Sequence, residues 1–140
     1  MSINFDNVFT NALSDLIIVG LVSVADFASG YQRNLFNFKN FGVKCIEMKR
    51  NGTSRPSEGY TPNFANEQYI TDYMTFVKDF ECYTSDKCVS LTPSAWKNRY
   101  TLFAFKITDG PIRPGMFGPR SNSVTGSARL DMSFATAIND

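Results

Sequence analysis

The run Ser127-Ala-Arg-Leu-Asp-Met-Ser-Phe-Ala135 alternates without a break. Ala128, Leu130, Met132 and Phe134 fall on one side of an extended chain, and Arg129, Asp131 and Ser133 on the other. A period of two over that length fits a strand with one face in a core and one in water; a helix would scatter the same residues around its axis. Tyr100-Thr-Leu-Phe-Ala-Phe-Lys-Ile-Thr108 repeats the pattern, with Thr101, Phe103, Phe105 and Ile107 opposite Leu102, Ala104 and Lys106. Half-wet strands of this kind belong to antiparallel sheets.

Two further segments read as strands. Residues 41–50 place Phe41, Val43, Cys45 and Glu47 on one face and Lys44, Ile46 and Met48 on the other, and lead into Asn51-Gly52, a strong hairpin signal. Residues 16–24 are β-branched and continuously apolar, which predicts a central strand buried on both faces. Residues 53–62 contain Pro56, Gly59 and Pro62 and read as a loop. A helical period follows: Phe64, Ile70, Met74 and Val77 predict a helix over 65–80, with Asn63 or Asn66 as its cap. Thr92-Pro93 predicts a capped single turn that carries Trp96, the only tryptophan. Residues 26–39 read as a packed aromatic loop, and residues 109–126, rich in Gly, Pro and Ser, as a long connection. With no regular alternation of strand and helix, the predicted class is all-β: an antiparallel β-sandwich with long loops and one short-to-medium helix, in a single domain over residues 1–140.

Composition narrows the chemistry. The chain has 140 residues, enough for one core, and its 43% hydrophobic and 14% aromatic content is too high for a disordered tail. It has no histidine, so a histidine base, a Ser-His or Cys-His pair and a His-based metal site are all excluded. Fourteen Lys+Arg against thirteen Asp+Glu give a net charge of +1, which supplies no global pull toward nucleic acid or anionic lipid. The expectation is no direct nucleic-acid binding, no membrane partner, no cofactor, no metal and no catalytic residue. Residues 16–25 are too short an apolar stretch to span a bilayer, and the acidic, Asn-rich start does not read as a signal peptide, so the expected location is intracellular.

Glu67 and Asp72 are five apart on the predicted helix, and Asp79 and Glu81 flank Lys78 or follow it closely; both pairs read as solvated surface rather than as an acid and a base. Of the three cysteines, Cys82 and Cys88 close a small disulfide loop in an oxidising compartment or remain free thiols in a reducing one. Tyr31, Phe36, Phe38 and Trp96 form a candidate aromatic cluster, either for a ligand or for packing. Arg113, Met116, Phe117 and Arg120 form a candidate interaction loop. Residues 39–55 carry five basic side chains against Glu47, and residues 58–86 six acids against Lys78; these opposed patches suit head-to-tail contacts between subunits, or simply a solvated surface.

Several runs, taken in order, resemble a known family: Ile18-Val-Gly-Leu-Val22 followed by Asp26-Phe27 and Gly30, Asn34-Leu-Phe-Asn-Phe-Lys39, Asn51-Gly52, Tyr69-Ile70 with Tyr73-Met74, Tyr100-Thr-Leu-Phe-Ala-Phe105, and Leu130 with Phe134-Ala135. Together they cover residues 4–136 and resemble the major capsid proteins of Polinton (Maverick) type DNA viruses, encoded by virus-like elements in invertebrate genomes. The resemblance implies a jelly-roll β-sandwich matching the C-terminal half of a double jelly roll. It also implies a virion role, with self-assembly into trimeric capsomers of a capsid lattice. Family members carry a long chain ahead of this region and at least one strand beyond the position of Phe134-Ala135. The chain is therefore expected to be a shortened relative, or a jelly roll whose missing strands come from a neighbouring chain. The alternative expectation is a jelly-roll binding module that recognises glycan or peptide through its aromatic loop. A carboxylate-based hydrolase is the third class.

Overall fold

The computed structural model describes residues 1–8, 16–28, 31–79, 90–107 and 126–137. Within them the elements run β1 (Ser2–Phe5), β2 (Leu16–Gly20), the single turn α1 (Val24–Phe27), β3 (Val43–Arg50), β4 (Thr53–Tyr60), α2 (Ile70–Asp79), α3 (Pro93–Asn98), β5 (Leu102–Lys106) and β6 (Ala128–Phe134). The class is all-β, with two antiparallel sheets and a few short helices. One sheet has the order β1-β6-β3-β4; the other pairs β2 with β5. The ladders nest, with the first strand against the last, the second against the fifth and the third against the fourth. The β3–β6 ladder then joins the outer and inner pairs.

β6 follows its alternation: Ala128, Leu130, Met132 and Phe134 are buried, and Arg129, Asp131 and Ser133 lie on the other face. In β5 and its flanks Thr101, Phe103, Phe105 and Ile107 are fully buried, and Ala104 is buried as well. β3 departs from strict alternation. Its register against β6 shifts between Val43 and Cys45, leaving Lys44 as an extra residue. This bulge turns Val43 to the same buried face as Ile46 and Met48, while Cys45 and Glu47 go to the outer side. The hairpin forms at Asn51-Gly52, where φ is +48° and +83°, the two positive values that a two-residue type I′ turn demands. Asn51 also holds the start of β6, donating its backbone N–H to the Ser127 carbonyl and accepting the Ser127 N–H on Oδ1, both at 3.0 Å.

Three expectations are corrected. Residues 53–62 do not form a loop, since Thr53–Tyr60 is the edge strand β4. Its proline and glycine are absorbed where the register against β3 slips between Ile46 and Met48, with Gly59 at φ +64°. A bulged edge is the part of a sheet that tolerates a missing N–H. Residues 16–24 do not form a central strand. β2 ends at Gly20, has β5 as its partner among the described residues, and exposes Ile18 at 46%. The ring of Phe38 lies against Gly20, where a Cβ would come within 2.6 Å of it, and the Lys39 N–H bonds to the Leu21 carbonyl at 3.0 Å, so the crossing chain closes the ladder.

The third correction concerns the helix, which starts at Ile70 rather than 65. Ahead of it, Asn63 and Gln68 pair through both backbone groups, and the Asn66 N–H donates to Asn63 Oδ1 at 3.2 Å. The asparagine side chain thus satisfies the backbone as a turn and competes with helix. The buried face is also shifted, although Val77 packs against the core as its spacing predicts. Tyr69, Tyr73 and Phe76 turn inward, and Ile70 and Met74 are exposed.

The inward turn follows from Trp96. α3 is capped as its sequence predicts, with the Ala95 N–H donating to Thr92 Oγ1 at 3.2 Å and Pro93 in the first turn. It delivers Trp96 into the core at 0% exposure. The rings of Phe64, Tyr69, Tyr73, Phe76 and Phe103 surround the indole at centroid distances of 5.8–6.3 Å. Its Nε1–H donates to the Leu102 carbonyl at 2.9 Å, so the polar atom is satisfied while the ring is dry. Tyr60 connects the two sheets, packing edge-on against Phe103 and Phe105 and donating its hydroxyl to the Ala104 carbonyl at 2.6 Å.

Truncating this hub removes contacts with α2, the 63–69 turn and β5 together. Trp96→Ala is expected to cost about 3–5 kcal/mol, the range for a large buried aromatic. Urea unfolding followed by far-UV circular dichroism checks it; Trp96→Phe, which loses the Leu102 bond but keeps most of the ring, should cost less.

Candidate interaction surface

Three surface regions gather polar or apolar side chains. The first is the outer face of the four-stranded sheet, where the wet positions of β3 and β6 face solvent. Lys49 lies 2.9 Å from both Glu47 and Asp131, and Arg129 lies 2.6 Å from Asp131 and 3.4 Å from Asp6. Ser54 donates its hydroxyl to Glu47 at 3.2 Å. Burial opposes ionisation of Asp131, but the hydrogen bonds from Lys49 and Arg129 outweigh it and hold the carboxyl below its ordinary range. Cys45 lies beside this network. Partial burial and the neighbouring Glu47 push its thiol up, which leaves it in the protonated, weakly nucleophilic form.

The second region is the groove beside α2, lined by Gly59, Thr61, Glu67, Asp72, Thr75 and Asp79 among others, with a volume of about 720 Å³. Here the solvated-surface reading of the helix acids is corrected for Asp72, which is only 8% exposed. Asp72 accepts the Thr61 N–H at 2.7 Å, next to the end of β4, and Asp79 accepts the backbone N–H of Lys106 in β5. The two acids, seven residues apart on one helix, attach α2 to both sheets. Burial raises both carboxyls above their ordinary range, and the backbone bonds only partly offset it. Glu67 remains exposed and pairs with Lys97.

The third region runs from β2 through residue 36. Ile18, Val24, Phe27, Tyr31, Leu35 and Phe36 are all exposed, with Phe27 at 70%. Asp26 anchors the loop beneath them, 3.9 Å from Arg33 and 3.6 Å from Lys39. The four candidate aromatic residues do not come together. Trp96 is a core residue, Tyr31 is fully exposed with no ring contact among the described residues, and Phe38 packs on Gly20 with its ring 6.5 Å from Phe36. Phe36 instead shares a cleft with Tyr100, Arg99, Asn34 and Asn37. Periodicity gave no sign of Arg99 or Tyr100, because they sit at the exit of α3 and reach Phe36 only through the Phe38–Tyr100 bridge.

The candidate loop Arg113, Met116, Phe117 and Arg120 and the candidate pair Cys82 and Cys88 lie outside the described residues. Among the described residues no group of three or more His, Cys, Asp or Glu is placed to hold a metal ion, and no helix is long and apolar enough to cross a membrane.

The carboxylates make opposite predictions with pH. A raised value in the folded state means that the stability contribution of Asp72 is present below the ordinary value of 3.8 and is lost as pH rises through the folded value. The contribution of Asp131 is present above the ordinary range and is lost as pH falls through its lowered folded value. Asp72→Asn should therefore raise the urea midpoint at pH 7, with the difference vanishing in acid. Asp131→Asn should lower it at pH 7, with a deficit that shrinks as the pH falls.

Comparison with known proteins adds one relative. No protein-family model and no solved structure matches the chain. An uncharacterized protein of Caenorhabditis elegans is similar to it, 22% identical over 105 residues that make up 74% of this chain and 25% of that protein. The chain spans a quarter of the length of the curated relative it matches.

Proposed function

We propose that the chain is a structural capsid-type subunit, a jelly-roll module that associates with copies of itself into trimeric capsomers and performs no catalysis. The observation that carries this reading is the nested pairing of strands. In a jelly roll a long antiparallel hairpin is wound around a core, so the first strand meets the last, the second meets the next to last, and the first and third flank the last in one sheet. The order β1-β6-β3-β4 with β2-β5 obeys that rule for six strands, the hairpin's tip being the Asn51-Gly52 turn. Jelly rolls of this class build viral capsids as well as lectin domains.

Two features favour self-association. The outer edges of β1 and β4 have no strand partner among the described residues, and an open edge is a template for a strand from another chain. Ile18, Val24, Phe27 and Leu35 are each exposed, and exposed apolar side chains gathered on one surface mark places where a protein meets a partner. The resemblance to Polinton-type capsid proteins adds the virion as the place where such an assembly acts. The outer face of the four-stranded sheet, saturated with paired charges and carrying a protonated Cys45, offers no activated nucleophile.

Size-exclusion chromatography with light scattering tests the association directly. The mass should rise with concentration toward a trimer. Phe27→Asp should return it toward one chain with circular dichroism unchanged, because Phe27 lies outside the core. A strict monomer at every concentration would overturn the reading.

A further inference from the structure

The cleft between Phe36 and Tyr100 has a chemistry of its own. It measures about 360 Å³ and is lined by Asn34, Phe36, Asn37, Arg99 and Tyr100. That is at the lower end of the range for small-ligand pockets, roughly 300–1,000 Å³. Phe36 is 68% exposed and Tyr100 44%, so two aromatic side chains border it with their surfaces still wet. Arg99 has no carboxylate partner among the described residues, and the carboxamide of Asn37 makes no hydrogen bond among them. Asn34 uses its Oδ1 to accept the Phe36 N–H at 2.9 Å, which leaves its NH₂ available.

The walls are held before any ligand arrives. Asn34 closes a turn with the Phe36 and Asn37 N–H groups. Phe38 is bridged to Tyr100 and accepts the Thr101 N–H at 3.4 Å. Asn40 donates from Nδ2 to the Lys97 carbonyl at 3.1 Å, which ties the loop to α3. A cleft fixed in this way avoids part of the ordering cost of binding.

We infer that the Phe36–Tyr100 cleft binds an acidic saccharide, its ring packed on the two aromatic side chains, its carboxylate on Arg99 and its hydroxyls on Asn34 and Asn37. The components match those demands one by one. Aromatic faces take the apolar C–H surface of a sugar, a guanidinium takes a carboxylate bidentately, and carboxamides both donate to and accept from hydroxyls. Nucleic acid fits poorly, because one unpaired Arg on a chain of net charge +1 cannot track a phosphate backbone. A peptide adding as a strand would need a strand edge, and the cleft lies between a turn and a helix exit. The site is independent of the capsid reading.

Titration of the ¹⁵N-labelled chain with 3′-sialyllactose, lactose and acetate, followed by amide chemical shifts, tests it. The acidic trisaccharide should move the signals of residues 34–37 and 99–100, with lactose about tenfold weaker and acetate without effect at the same concentration. Arg99→Ala should weaken binding about tenfold, as expected for loss of a charge-assisted pair, and Phe36→Ala should also weaken it. Both side chains are exposed, so the remaining amide spectrum reports an intact fold. An equal response to acetate, which marks an anion site only, would overturn the inference, as would saturation by an acidic peptide but not by the sugar, or no shift at all. Binding by a monomeric chain leaves the inference standing, and assembly without sugar binding removes it, so the two proposals fail separately.

Discussion

The burial of Trp96 is the interaction on which most of the molecule depends. A short capped helix has little stability of its own, yet α3 is fixed because its indole is inserted among five rings from α2, the 63–69 turn and β5. The same ring decides which side of α2 faces inward, placing Tyr69, Tyr73 and Phe76 in the core and leaving Ile70 and Met74 outside. With α2 so oriented, Asp72 and Asp79 reach the backbone of β4's end and of β5. One side chain thereby sets the helix rotation, and the helix rotation places two carboxylates, Asp72 buried and Asp79 half-buried, that join the sheets.

How much of this was legible in the sequence depended on where the signal lay. β6, the alternation through β5, the Asn51-Gly52 turn and the Thr92-Pro93 cap are local patterns whose physics is contained in a few neighbouring residues, and each is found in the structure. β1 carried too little pattern to be read as a strand: four residues that pair with Ser133 to Leu130, far along the chain. β4 was hidden by Pro56 and Gly59, which mark a loop by composition and a bulged edge by context. In β3 one inserted residue, Lys44, moved Val43 to the face opposite the one strict alternation gives it.

The candidate site divides along the same line. An abundance of aromatic residues between 27 and 41 was visible, but which rings meet was set by a crossing of chains, where Phe38 lies on Gly20 between the ends of β2 and β5. That crossing separates Tyr31 and Trp96 from Phe36 and brings in Tyr100 and Arg99 from a distant segment. Asp72 was misjudged because an acid on a helix is ordinarily solvated, and only the shift of the helix face around Trp96 buries it.

The proposal that this chain associates with copies of itself rests on the nested ladders, whose outer strands β1 and β4 have no strand partner among the described residues, and on the exposed apolar side chains of Ile18, Val24, Phe27 and Leu35. Electron microscopy of the concentrated protein tests this most directly. The account predicts closed particles with threefold symmetry. Fields containing only particles the size of a single chain would contradict it.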